Sequence, residues 1–553
     1  MSDSLPELVL GPMLRYAGTE SATFWVETSG ACEITILGHS SRTFTVEDHH
    51  YALLLVEDLE PDSIIPYEVS LDGVRVWPPD DGRPPCVVRT RAGEDRARLV
   101  FGSCRRGGPQ PSEFPDEWPD ELRAEGIDAL WTYSKQLQRG EAEWPDAVLL
   151  LGDQVYADEV SPATLEFIRE HRGTEKPPGP QIADFEEYTH LYRESWSDPD
   201  IRWLLATVPT AMIFDDHDVH DDWNISWSWV DEMRRKPWWE ARVTGAFMAY
   251  WIYQHLGNLS PPELAEEEMY ARVKADAATG ADSGARLREA GHRWDRESAA
   301  TRWAYYRDFG DTRLLVLDSR AARVLSDGRR EMVDEEEWDW IVDHSVGAFD
   351  HVLIASTLPV FLPHGVHHLQ AWNEALCAGR WGKTVAKGSE KLRRAVDLEH
   401  WAAFNRSFER LCDWLRRIAT GSEAAPPPAS ILLLGGDVHW NYICEVTLDA
   451  GKRQCPVFQL VCSPYRNPLA PRERRIVRAT GSRLMGLLFA ALGRLAGVAS
   501  TSATWRRLPE TTFENSIGEL VLEGRAARVT MRRSPREGED VERLVVLHTK
   551  ELA

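Results

Sequence analysis

Residues 147–156 read Ala-Val-Leu-Leu-Leu-Gly-Asp-Gln-Val-Tyr. Five consecutive apolar residues that end at once in glycine and aspartate are the pattern of a strand buried on both faces, as in the sheet of an α/β domain. The pattern recurs at Leu99 to Phe101, Ala211 to Phe214, Leu314 to Leu317, Val352 to Ala355, Ile431 to Leu434 and Val457 to Val461. Just past these runs stand Cys104, Asp153, Asp216, Asp318, Ser356, Asp437 and Ser463. In open α/β sheets ligands bind outside the carboxyl ends of the strands, so polar groups recurring at that place predict one converging site.

Upstream the periodicity changes. Ala22, Phe24 and Val26, then Ile34 and Ile36, alternate between turns rich in Gly and Asp, which predicts a small all-β sandwich ahead of the α/β region. Leu59-Glu60-Pro61 followed by Tyr67-Glu68-Val69 is similar to the part of fibronectin type III domains where a tyrosine closes a corner between sheets. Downstream, loops are expected near Lys176 to Pro180, Ala275 to Gly284 and Glu423 to Ala429. Pro471 to Val498 reads as one basic amphipathic helix, which suits a lid or packing element better than membrane association, and Gly518 to Leu522 and Arg525 to Met531 read as closing strands. The resulting division is 1–95, 96–470 and 471–553. A chain of 553 residues exceeds what one core usually organises, in keeping with several domains.

Composition excludes several classes. A formal net charge of -25 disfavours a broad nucleic-acid surface, so an anionic substrate must be drawn by local charge. The longest apolar run, Leu484 to Gly493, is too short to span a bilayer as a helix. Eight scattered cysteines do not make a disulfide framework, and Met-Ser-Asp-Ser-Leu-Pro-Glu has no basic start and no apolar stretch of secretory type. The expected location is the cytoplasm. Nothing in the sequence fixes the oligomeric state.

The chemistry resides in Gly152-Asp153-Gln154-Val155-Tyr156, Asp215-Asp216-His217-Asp218 and Gly435-Gly436-Asp437-Val438-His439. Hard and borderline cations prefer carboxylate oxygen and imidazole nitrogen, and two adjacent cations need a bridging carboxylate, for which Asp153 is the natural choice. The spacing Asp437-x-His439 puts two ligands on one side of a strand end. His217, beside a candidate ligand, is suited to protonating a leaving oxygen. Arg105, Arg106 and Arg320 are candidates for clamping phosphate through bidentate hydrogen bonds, although Arg320 is equally suited to pairing with Asp318. Trp223, Trp227, Trp229, Trp238 and Trp239 suit ordinary packing better than a pocket wall. His364, His367 and His368 suit hydrogen bonding in a loop better than ligation.

Together with Ser103-Cys104, these motifs resemble the alkaline phosphatase D (PhoD-like) branch of the calcineurin-like metallophosphoesterases over about Leu99 to Asn467. The resemblance implies a two-sheet α/β sandwich preceded by a β-rich domain, and a phosphomonoesterase or phosphodiesterase acting on a small phosphate ester through two metals and a metal-activated water. It implies Cys104, Asp153, Tyr156 and His439 around Fe(3+). Around Ca(2+) or another divalent ion it implies Asp153, Asp437 and carboxylates of the Asp215 to Asp222 segment. Asp221 and Asp222 stand where many relatives have asparagines, and Asp218 replaces a Glu, so the choice among Asp216, Asp221 and Asp222 stays open. The rival reading is a non-catalytic metal-containing binding module.

Overall fold

The computed structural model describes residues 5–93, 96–110, 118, 120–326, 328–422, 425–448, 455–509 and 511–553. The segment 1–4 and residues 423–424 of the expected loop at Glu423 lie outside the described residues. All seven apolar runs are strands, and two sheets gather them. The first runs in the order Thr210–Ile213, Ala147–Leu151, Arg96–Gly102, Ser516–Glu523, Ala526–Arg533, Val545–Glu551. Its first three strands are parallel and its last three antiparallel. The second runs Tyr305–Phe309, Thr312–Leu317, His351–Ser356, Ser430–Gly435, Val457–Val461, Tyr442–Thr447, Thr504–Arg507, with a parallel centre.

Alternation along the second sheet explains why its strands are apolar throughout. Leu314, Val316, Leu353, Ala355, Leu432 and Leu434 join the same buried cluster as Leu99, Phe101, Leu149 and Leu151 of the first sheet. Their neighbours Leu315, Leu317, Val352, Ile354, Ile431 and Leu433 cluster instead with Trp338 and Ile341 of helix Glu335–His344 and with Phe408, Leu411 and Leu415 of helix Asn405–Thr420. Successive side chains of a strand point to opposite faces, and here both faces are covered.

The N-terminal residues form two four-stranded sheets and a two-stranded ribbon. They are joined to the α/β region by buried polar contacts. The Arg15 guanidinium, fully buried, donates to the carbonyls of Tyr253 and Gln254 at 2.7 Å each and to Asn258 Oδ1 at 3.1 Å. Tyr67 Oη donates to the Ala206 carbonyl at 2.5 Å, so this tyrosine ties two parts of the chain together instead of closing a corner within its own sandwich. Trp25 packs edge-on to Trp196, with ring centroids 6.5 Å apart.

Three further expectations change. Ala275 to Gly284 is largely helical, because helix Glu268–Thr279 runs to Gly280 in the left-handed conformation (φ 73°) that ends it. His364, His367 and His368 lie on helix His364–Cys377 and not in a loop. The single helix over Pro471 to Val498 is two, Pro471–Thr480 and Arg483–Leu495, bent by 59°. Ser482 causes the restart, its hydroxyl accepting from the Met485 N–H as an N-cap.

His49 also crosses the junction, with Nε2 2.7 Å from Glu186 and Nδ1 3.5 Å from Glu27. Burial alone would lower its pKa, but the two carboxylates outweigh that and raise it from 6.5 to about 9. A pKa raised on folding stabilises the fold fully below about pH 6.5 and loses that contribution as pH rises through about 9. The stability gap between wild type and His49→Gln, from urea unfolding, is therefore expected to be largest at pH 6 and to close by about pH 9. A gap independent of pH would contradict this.

Candidate metal centre

Backbone conformation marks the site before any side chain does. Cys104, Asp153, Asp437 and His439, each just past a strand of one of the two sheets, have φ of 54°, 31°, 63° and 55°. Non-glycine residues rarely enter this region, and clustered strain of this kind occurs where a structure over-determines a functional geometry. The packing that enforces it is visible at Gly436, where a Cβ would stand 2.4 Å from Ser103 Oγ and 2.6 Å from the Leu151 carbonyl. Three strand ends meet there with no room for a side chain. The Asp437 N–H donates to Ser103 Oγ at 3.1 Å, and the His439 N–H to Ser463 Oγ at 3.1 Å.

These turns bring a Cys104, an Asp153 and a His439 ligand atom within 4.8 Å of one another. Tyr156 Oη donates to Asp153 Oδ2 at 3.4 Å and accepts from Asn467 Nδ2 at 3.0 Å, which puts the phenol in the same group. A second group within the same limit is Asp153, Asp215 and Asp216, and a third is Asp216, His217 and Asp221. Asp153 belongs to the first and second, the position a bridging carboxylate requires.

The residues fit cations. Asp153 Oδ1 and Asp215 Oδ2 are buried with no hydrogen-bond partner, an arrangement costly for a carboxylate unless something positive meets it. Burial, then the charges of Asp153 and Asp437, push the Cys104 thiol well above its usual range. Burial, then Glu399 and Asp397, push Asp222 up to about 10. Acid groups outnumber the bases among them, and thiolate, phenolate, imidazole and carboxylate are metal-binding types.

The arginines take other places than the sequence suggested. Arg320, fully buried, donates Nε to Asp215, Nη1 to Glu399, and Nη2 to Asp216 at 2.9 Å and Asp437 at 3.0 Å. Asp318, the partner considered for it, accepts instead from the N–H groups of Arg320, Ala321 and Ala322. Arg105 is spent on Asp128 at 2.7 Å and the Ser195 carbonyl at 2.7 Å. Arg320 thus has all three nitrogens engaged inside the protein, and Arg105 its Nε and Nη1. Arg106 remains: its guanidinium lies 4.9 Å over the Tyr156 ring and pairs with Glu159, and its Nε has no partner.

His217 Nδ1 is 2.9 Å from Asp158, and its Nε2 is 3.9 Å from Asp221. Burial would lower the imidazole's pKa, yet Asp158, then Asp216 and Asp153, raise it well above the usual value. Asp218 is structural in its contacts, its Oδ2 accepting from the Asp215 N–H at 2.9 Å. Asp221 is largely exposed and Asp216 buried, while the Asp222 N–H donates to Asp216 Oδ2 at 3.1 Å. Asp158, Glu399, His400 and Asn467 were missed by sequence reading, which held Asp215 only as one of the carboxylates of the Asp215 to Asp222 segment. His400 Nε2 lies 3.1 Å from Asp437 Oδ2. Asp215, already inside a quoted motif, carried a usable signal; Asp-Leu-Glu-His at 397–400 follows a helix, not an apolar run, and gave none.

Residues 129–278 match the model of the PhoD-like phosphatase family, and residues 5–89 match a domain of unknown function (DUF7800). Comparison with curated proteins gave no match. Among solved structures, that of PhoD aligns with a TM-score of 0.60 at 11% identity, covering 100% of this chain and 93% of its own. The purple acid phosphatase PPD1 from yellow lupin (Lupinus luteus) seeds aligns with a TM-score of 0.47 at 11% identity, covering 96% and 72%.

Removing the guanidinium at Arg320 leaves four carboxylates facing one another in a buried site. Arg320→Met is expected to cost about 3–5 kcal/mol in the metal-free protein, read from denaturant unfolding. A variant as stable as wild type would show that the carboxylates are neutralised in another way.

Proposed function

We propose that this chain, a PhoD-like phosphatase by its family domain and with the fold of PhoD, hydrolyses small phosphate esters at the strand-end site, with two metal ions. The observation that carries the reading is the meeting of Cys104, Asp153 and His439 within 4.8 Å beside Tyr156, with the acid-rich group Asp153, Asp215 and Asp216 adjoining it. Cys104, Asp153, Tyr156 and His439 would hold one ion, for which iron suits the thiolate and phenolate. Asp153, Asp216 and Asp437, with Asp215 near, would hold the other, for which calcium or another divalent ion suits an all-carboxylate set. Asp221 is left to the rim. When bound, the ions supply Lewis-acid charge at phosphorus and activate water.

The chain's own residues do the rest. Asp153 holds both halves of the site at a fixed separation. Arg320 keeps Asp215, Asp216 and Asp437 oriented while offsetting part of their repulsion, so it is a positioning residue. Arg106 is the guanidinium left to meet a phosphate oxygen, in place of Arg105 and Arg320. His217, held protonated by Asp158, presents Nε2 as the acid that gives a proton to the leaving oxygen.

The test is turnover of an aryl phosphate and a bis-aryl phosphate by purified protein of known elemental content, with Cys104→Ser/Asp153→Asn as the blank. We expect turnover in wild type, iron with a visible charge-transfer band, and neither in the blank. Metal-replete protein that turns over neither ester would leave the non-catalytic binding module as the reading. His217→Ala should keep its metals and lose about 10² to 10⁴ in rate. Loss of metal in that variant would make His217 a ligand.

A further inference from the structure

Directly after Asn467, which donates to Tyr156, the chain leaves the site through 468–470 and enters the bent helix pair Pro471–Thr480 and Arg483–Leu495. The second helix has two unlike faces. Gly486 seats one of them closely on helix His364–Cys377, where a Cβ would stand 3.1 Å from His364 Cβ, and Phe489 lies with its ring centroid 5.9 Å from that of Trp372. The other face carries Leu484, Leu487, Leu488, Ala491 and Leu495, a stripe at the i, i+3, i+4, i+7, i+11 spacing of one helix side. It points outward: Leu484, Leu487 and Leu495 are 70%, 73% and 75% exposed. Nothing among the described residues covers it.

Charge identifies the occupant. The chain carries a net charge of -25, yet residues 470–498 hold six arginines against one glutamate. Arg472, Arg475, Arg483 and Arg494 are exposed, and no ion pair engages them among the described residues. An apolar stripe flanked by unpaired arginines complements a surface that is apolar within and anionic at its boundary, which is a bilayer of anionic lipid. An acidic protein partner would match the arginines but not the leucines. No single helix among the described residues is long and apolar enough to cross a membrane, and the 59° bend suits two helices lying in the interface better than a span. Trp381, 41% exposed and with its ring centroid 5.9 Å from that of Trp372, supplies an aromatic side chain of the kind enriched at the headgroup level.

We propose that the outward face of helices Pro471–Thr480 and Arg483–Leu495 docks this protein on an anionic membrane surface. This inference does not depend on the metals or on turnover. It is tested by flotation of the full-length protein with vesicles of phosphatidylcholine alone or of equimolar phosphatidylcholine and phosphatidylglycerol. Wild type is expected to float with the anionic vesicles, less so at high salt, and weakly with the neutral ones. Leu487→Glu/Leu495→Glu should weaken binding on the order of a hundredfold, and Arg472→Glu/Arg475→Glu about tenfold, with unchanged circular dichroism. The proposal is overturned if wild type stays unbound on anionic vesicles or if both double variants bind as wild type does. It is equally overturned if sedimentation shows a dimer that Leu487→Glu/Leu495→Glu abolishes, since the face then belongs to a second copy.

Discussion

One guanidinium and four carboxylates set the terms for the rest of the molecule. Arg320 reaches Asp215, Asp216, Glu399 and Asp437, which come from three separate stretches of chain, and all five side chains are buried or nearly so. Arg323, 3.3 Å from Glu399, and His400, 3.1 Å from Asp437, share the task, but acids still outnumber bases there, and charges without partners are expensive away from water. Metal ions would supply the balance in the proposed site, where Asp153 and Asp215 each keep one buried carboxylate oxygen without a hydrogen-bond partner. Ligand preorganisation and charge balance are thus one problem with one solution in this fold.

The scaffold is built to hold that arrangement. Left-handed backbone at Cys104, Asp153, Asp437 and His439 costs of order 1–3 kcal/mol at each residue, and it persists because the sheets on either side are packed on both faces. The N-terminal domain adds to the same framework. Arg15 and Tyr67 place their polar groups on backbone carbonyls of the α/β region, so the two parts share a core.

Much of this was legible in the sequence, for identifiable reasons. A strand covered on both faces must be apolar throughout, so Ala147–Leu151 and Val457–Val461 could be bounded to the residue, and the polar group after each run marks the strand end. What escaped depends on contacts distant along the chain. Nothing local distinguishes Arg320 from a substrate-binding arginine; its role is set by Glu399 and Asp437, which folding brings to it. The final strand, Val545–Glu551, lies at a sheet edge with only half-buried and exposed positions and lacks the continuous apolar run of the others. The break between the two basic helices rests on a capping serine, a weaker signal than the apolar period running through it.

The most direct test of the account is anomalous diffraction from crystals of the purified protein, recorded on both sides of the iron absorption edge. The account predicts an iron peak bounded by Cys104 Sγ, Tyr156 Oη, an Asp153 oxygen and a His439 nitrogen, with a second cation among Asp153, Asp216 and Asp437 and the Arg320 guanidinium still in contact with the last two. A metal-free site with Asp153 and Asp215 turned away from it, or iron bound elsewhere, would contradict it.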